Sequence, residues 1–283
     1  MLSTLVRFAV APLQSTETSL VGRPWWRPQP AFTAKHVIDF RVGRLRVKTV
    51  ANEAELKEVL ALRHAVFHKE FAGRRWALGN DRSPIDQLAD HLTIYDEEAG
   101  RVAGVYRLLP SRVTQDFYSS SEFDLSGFLS VPGLKLELSR ACIHKDYRRG
   151  AVISLLWRGV AEYARLTGSD YLFGLSSVPS TDHAKIRRLH QGLVAAGAVD
   201  LSWGITPQDG WESPLDGESP CVADSAVDAG ESELPSLFKS YLRAGARVCS
   251  LPVIDPKFRC TDWLTVLDMR LLAASFDRRF NRS

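Results

Sequence analysis

The alternation of apolar and polar positions becomes regular from residue 44. RLRVKTV (44–50) alternates with period two, as a half-buried strand does. Residues 52–70 change to helical spacing, with Leu56, Val59, Leu60, Arg63, Val66 and Phe67 near one stripe and Asn52 where an N-cap belongs. HLTIYDEEAGRVAGVYRLLP (91–110) is two strand-like runs about a polar turn near 97–100, which predicts a hairpin. LKLELSRACIH (134–144) predicts another strand. AVISLLWRGVAEYARLTG (151–168) predicts a helix closed by Gly168. DYLFGLSS (170–177) predicts a short strand, and a helix is expected over 183–196. LPSLFKSYLRAG (234–245) predicts a short helix, and ARVCSLPVID with DWLTVLDMR a closing strand pair. The expected fold is one mixed α/β domain over 43–283, with no internal repeat. Before it lies an arm, 1–42, that carries the proline-rich GRPWWRPQPAF. Residues 208–233 contain no Lys, Arg or His and are rich in Asp, Glu, Ser, Gly and Pro, so a flexible acidic insertion is expected there.

Composition narrows the class. An apolar content of 45% with 24% charged residues suits a soluble chain that buries a core. A net charge of +3, with no basic stripe interleaved with aromatics, speaks against nucleic-acid binding. None of the four cysteines forms a C-x-x-C pair, so no metal site or redox dithiol is expected, and a reducing cytoplasm fits. No apolar run approaches the roughly 18 residues of a membrane helix. MLSTLVRFAVAPL is too short and broken to read as a signal peptide.

The chemistry concentrates in ELSRACIHKDYRRG (137–150), where a strand hands over to a helix through a basic turn. Amides at a helix start lack internal partners, and the helix dipole adds positive charge there. Arg148, Arg149 and Gly150 therefore form either a phosphate-binding turn or an ordinary solvated one. Glu137 and Arg140 are three apart and face opposite sides of a regular strand, unless a bulge intervenes. A charged residue in a central strand is costly unless paired or functional. Glu137 is thus either a general base for an attacking amine or the partner of an arginine such as Arg107. His91 and Cys142 are read as structural, as are Trp157 and Tyr163 on the helix.

The strand, basic turn and helix resemble the acyl-thioester site of the GCN5-related N-acyltransferase superfamily. Ala151 stands where that motif's second glycine would be. The segments LRHAVFHKE (62–70), DQLADHLTIYD (86–96), FYSSSEFDL (117–125), LELSRACIHKDYRRG (136–150), YLFGLSSVPSTD (171–182) and LPSLFKSYLRAGARV (234–248) resemble the ornithine N-acyltransferases, in order along the chain. The series Arg63, Phe67, Trp76, Asp86, Asp90, Arg107, Glu137, Arg140 is similar to that of acyl-homoserine lactone synthases. Long-chain N-acyl amino acid synthases are similar in outline.

The resemblance implies a mostly antiparallel mixed sheet flanked by helices. It implies transfer of a 3-hydroxyacyl group from acyl carrier protein to the α-amine of ornithine, giving lyso-ornithine lipid. Another amine acceptor and a non-catalytic acyl-carrier-binding module are the alternatives. Glu137, Ser139 and Arg140 would be catalytic, with a backbone amide of 139–142 as oxyanion donor. Cys142, Arg148, Arg149, Gly150 and Ala151 would seat the phosphopantetheine of the carrier, a co-substrate rather than a bound cofactor. Arg63, Phe67, Asp86, Asp90 and Arg107 would bind the acceptor or order the region around it, with an Arg63–Asp86 ion pair expected. Carrier proteins are acidic, so Arg148, Arg149 and Arg158 would face one, with KIRR (185–188) a second candidate. RLLAASFDRRFNRS (270–283) is either a peripheral contact with the inner membrane face or a plain surface helix.

Overall fold

The computed structural model describes residues 31–71, 73, 79–148, 151–215 and 233–271. By backbone contacts the chain divides into Met1–Ala31 and Phe32–Ser283, and the fold described is that of the second unit. Its strands are β1 (Asp39–Val42), β2 (Leu45–Thr49), β3 (Asp90–Asp96), β4 (Arg101–Pro110), β5 (Phe123–Asp124), β6 (Lys135–Ile143), β7 (Tyr171–Val178), β8 (Thr206–Pro207), β9 (Arg247–Val248), β10 (Val253–Asp255) and β11 (Cys260–Asp268). Its helices are α1 (Glu53–His64), α2 (Ile85–Leu88), α3 (Ser126–Ser130), α4 (Val152–Thr167), α5 (His183–Ala195) and α6 (Ser236–Arg243).

The main sheet runs β1-β2-β3-β4-β6-β7-β11-β10, with β9 also on β11, while β5 and β8 pair separately. Among its strand pairs only β6 with β7 is parallel, so the mostly antiparallel mixed sheet expected from the resemblance is present. The hairpin turns where the pattern places it: Asp96 accepts from the amides of Glu98 and Ala99, and Gly100 is left-handed at φ +62°. Asn52 caps α1 by accepting from Ala54 and Glu55. Gly168 closes α4 at φ +66°. The strand set begins inside the stretch read as an arm, since β1 pairs with β2 and Phe32 is buried. Similarly, residues 208–215 of the acidic stretch are packed: Trp211 lies against a core cluster and Glu212 accepts from the Ile254 amide. Residues 216–232 lie outside the described set.

α4 covers one face of the sheet, where Leu156, Val160 and Ala164 meet Val47, Leu92, Ala103 and Leu136. α1 covers the other, with Leu56, Val59 and Leu60 against Val102, Val105 and Cys142. A seven-residue π-helix, Ala65–Phe71, continues α1. Helix insertions of that kind recur at functional sites.

Two irregularities open the sheet. β6 and β7 pair only through Lys135–Tyr171, Leu136–Leu172 and Glu137–Phe173, and no ladder joins them beyond. Gly174 sits at the parting point, where a Cβ would lie 2.2 Å from the Leu138 carbonyl oxygen. One extra residue in β6 shifts its register with β4 between Cys142–Val105 and Ser139–Arg107. This bulge holds Arg140 left-handed at φ +53°, a conformation worth of order 1 kcal/mol of strain for a non-glycine residue. Gly174→Ala is expected to force the two strands apart and lower unfolding free energy by about 1–3 kcal/mol, measured by urea denaturation. An unchanged midpoint would mean that the junction is not tightly packed.

Candidate active site

Past the β6–β7 parting lies a cavity of about 230 Å³. Two sets of side chains line it. Leu138, Ala141, Leu175, Leu237, Phe238 and Tyr241 are mostly apolar. Tyr118, Ser139, Arg140, Asp255, Cys260 and Asp262 are polar. Leu138, Leu175 and Tyr241 extend the apolar set toward Trp157, whose ring meets Tyr241 edge-on at 5.4 Å.

Beside the polar set runs a chain of buried charges. Arg140 Nε lies 3.1 Å from Asp81 Oδ2, and Arg63 Nη2 lies 2.6 Å from the same oxygen. Arg63 Nη1 reaches Asp86 Oδ1 at 2.7 Å, and Arg107 Nη1 reaches that oxygen at 3.3 Å. The expected Arg63–Asp86 pair is therefore present. Burial works against ionising Asp86, but Arg63 and Arg107 outweigh it and hold the carboxyl well below the usual carboxylate range. His91 Nε2 donates to the Asp86 carbonyl at 3.1 Å, and burial holds its imidazole down at about 4, so it is a neutral structural residue. Arg140 stacks over Tyr118 at 4.3 Å and over Phe67 at 5.4 Å, which places Phe67 on the cavity wall.

Several expected site residues stand elsewhere. Glu137 is fully buried and does not line the cavity. Its carboxylate accepts from the Tyr118 amide (3.1 Å), the Ser119 amide (2.7 Å) and the Ser119 hydroxyl (2.7 Å). Among the described residues no ion pair joins it to Arg107 either; that arginine instead donates to Ser139 Oγ at 2.9 Å. Glu137 thus secures the Tyr118–Ser121 turn, with both carboxylate oxygens engaged by donors of that turn. Asp90 is also away from the cavity. It accepts from the amides of Lys35 and His36 and from the Tyr163 hydroxyl, tying the first described segment to α4. The Cys142 side chain packs in the α1 core, where burial pushes its thiol up to about 12, so the donor has no thiol to meet there. Ser139 and Arg140 do line the cavity. Arg148 donates to the Ile143 carbonyl at 3.1 Å, and Ala151 is the exposed residue at the start of α4. Arg149, Gly150 and Trp76 lie outside the described residues.

The reading of the sequence missed Tyr118, Glu122, Asp255 and Asp262. Asp262 sits in the strand CTDWLTVLD, where an acid amid apolar neighbours carries the same signal that drew attention to Glu137. Its Oδ1 accepts from the Ser177 hydroxyl and its Oδ2 from the Cys260 thiol at 3.4 Å. Burial raises the carboxyls of both Asp262 and Glu122, and Asp255 pushes both further, while the Ser177 and Cys260 hydrogen bonds work against the rise at Asp262.

A family model described as an acetyltransferase (GNAT) domain matches residues 62–158. With the sheet opened between β6 and β7, the chain is an acyltransferase of the GNAT fold. It is 31% identical over 259 residues to the L-ornithine N(alpha)-acyltransferase of Rhizobium meliloti, across 83% of this chain and 84% of that protein. It is 29% identical over 254 residues to the protein of the same name from Rhodobacter capsulatus, across 83% and 94%. The chain belongs to the L-ornithine N(alpha)-acyltransferase family. Among solved structures, a CoA-dependent acyl-homoserine lactone synthase with MTA aligns with a TM-score of 0.44 and 16% identity, over 79% of this chain and 81% of that one.

Asp86→Asn is expected to cost about 3–5 kcal/mol of stability, because it strands buried guanidinium charge. The Asp86 carboxyl titrates lower in the folded chain than in the unfolded one, so its contribution is present above about pH 4 and is lost as pH falls through the folded value. Denaturation of both proteins against pH should show a constant gap above about pH 5 that narrows in acid. A gap that widens in acid would contradict the ion-pair account.

Proposed function

We propose that the chain transfers a 3-hydroxyacyl group from the phosphopantetheine thioester of an acyl carrier protein to the α-amine of ornithine, forming lyso-ornithine lipid. The observation that carries this reading is the cavity at the β6–β7 parting, lined by apolar side chains together with a guanidinium and carboxylates. An acyl chain needs the first, and an amino acid needs the second. The names of the relatives supply the acceptor.

Thioesters are already activated, so positioning and removal of one proton carry most of the catalysis. Arg140 takes the acceptor carboxylate. Asp262 replaces Glu137 as the proposed base, because it faces the cavity and burial raises its proton affinity. It accepts a proton from the α-ammonium. The amine then forms the C–N bond, the C–S bond breaks, and the departing thiolate takes up the proton that the new amide nitrogen gives up. A backbone amide at the β6 bulge is the proposed donor to the tetrahedral oxygen. The start of α4, with Arg148 beside it, is proposed to hold the single phosphate of phosphopantetheine, and Arg148, Arg149 and Arg158 to face the acidic carrier. Among the described residues no helix is long and apolar enough to cross a membrane. The 270–283 segment, read as either a peripheral membrane contact or a plain surface helix, lies outside the described residues from 272 on.

Mass spectrometry of the purified chain with a 3-hydroxyacyl carrier protein and ornithine should show Nα-acylornithine. Asp262→Asn should lower kcat/KM by about 10²–10⁴-fold. The carboxylate is the active form, so kcat/KM should fall on the acid side at a pH above the ordinary carboxylate value of about 3.9. Full activity in Asp262→Asn would remove it as base, and an acylated product from some other amine would move the acceptor.

A further inference from the structure

Glu122, Asp255 and Asp262 act on one another's charge, and the cation felt by Glu122 and Asp262 is Arg140. Glu122 follows the Tyr118–Ser121 turn, is 1% exposed, and has its Oε2 buried with no hydrogen-bond partner. The largest charge effects on it come from Asp262 and Asp255. Ligating atoms of Asp255, Cys260 and Asp262 lie within 4.8 Å of one another on the cavity wall. Among the described residues no Lys, Arg or His forms an ion pair with any of the three acids. Asp255 Oδ1 accepts from the amides of Lys257 (2.7 Å) and Phe258 (3.0 Å), which leaves its second oxygen for another donor. Arg140, the guanidinium on the same wall, is tied to Asp81 at 3.1 Å.

Buried acids without a partner are expensive, and a buried acceptor oxygen with no donor is rarer still in a well-packed chain. Something that brings positive charge and several donors answers both. An alkylammonium carries three N–H donors and enters with the substrate. A divalent metal fits less well, because burial holds the Cys260 thiol strongly protonated and the Ser177 hydroxyl already occupies one oxygen of Asp262.

We infer that Asp255 on the cavity wall, backed by the buried Glu122, seats the side-chain ammonium of the acceptor, leaving Asp262 to serve the α-amine, so that the enzyme selects diamino acids over their monoamino analogues. This rests on the amino-acid acceptor proposed above. It adds a specificity subsite that the acyl-transfer chemistry by itself does not require.

The test compares ornithine with norvaline, which has the same carbon chain and lacks the side-chain amine. Native enzyme should favour ornithine in kcat/KM by at least about 10²-fold. In Glu122→Gln, and separately in Asp255→Asn, that ratio should fall at least tenfold. The two variants guard against one failing to fold. Equal use of ornithine and norvaline by the native enzyme would overturn the subsite while leaving Nα-acylation intact. Acylation of neither amine by enzyme that still cleaves the thioester would overturn the acceptor reading and the subsite together. A stoichiometric divalent ion retained by the native protein and lost in Asp255→Asn, with the ornithine preference unchanged, would assign the cluster to metal instead.

Discussion

The buried chain Arg140–Asp81–Arg63–Asp86–Arg107 sets the geometry on which the site depends. It draws on α1, the segment before α2, α2 itself, β4 and the β6 bulge, which are far apart in sequence. Ions so deeply buried give up much of their solvation, and the mutual attraction roughly offsets that loss. Their contribution is therefore less a gain in net stability than a restriction on alternatives. Any arrangement that separates one guanidinium from its acid leaves a bare buried charge. This holds α1, and with it Phe67 on the following π-helix, against the bulged strand. Phe67 and Tyr118 then clamp the Arg140 guanidinium between aromatic faces.

The opening itself has a backbone origin. A parallel pair of strands that stops after Glu137–Phe173 leaves two edges with polar groups facing a gap. In a closed sheet such edges are a liability; here they border the cavity in which the acyl transfer is proposed. Gly174 permits the close approach at the hinge of the opening, and the bulge next to it turns a side chain that strict alternation would send elsewhere. Because of that extra residue, Arg140 and Arg107 both stack on Tyr118, although period two puts Glu137 and Arg140 on opposite faces.

Most elements were legible in the sequence because their periodicity was long. The α1 cap, the β3–β4 hairpin, α4 with its glycine stop, α5 and β11 follow from patterns of eight or more residues, whereas the strand expected over ARVCSLPVID splits into β9 and β10, of two and three residues. β5 and β8 are two residues each, too short to carry any period, and β1 is only four. The site was legible by type of residue more than by role. A lone acid in an apolar strand marks Glu137 and Asp262 equally. What separates them is whether a distant turn supplies donors. The Tyr118–Ser121 turn folds onto Glu137 and satisfies it, whereas Asp262 keeps a place on the cavity wall. That distinction is tertiary and leaves no trace in local spacing. Cys142 shows the same limit, since its strand borders the opening while its side chain points into the α1 core.

The two charged groups give the cavity a direction. The chain ending in Arg140 carries three guanidiniums against two carboxylates, while the Glu122–Asp255–Asp262 group carries only acids. A zwitterion lies favourably between them with its carboxylate toward Arg140. Burial, and after it the neighbouring acids, raises the proton affinity of Glu122. An ammonium seated at Asp255 favours the ionised acids, so on the proposed assignment acceptor binding and the charge of this wall are linked. An acceptor with no second ammonium would forgo that contribution, which makes the subsite a control on the charge around Asp262 as well as on binding.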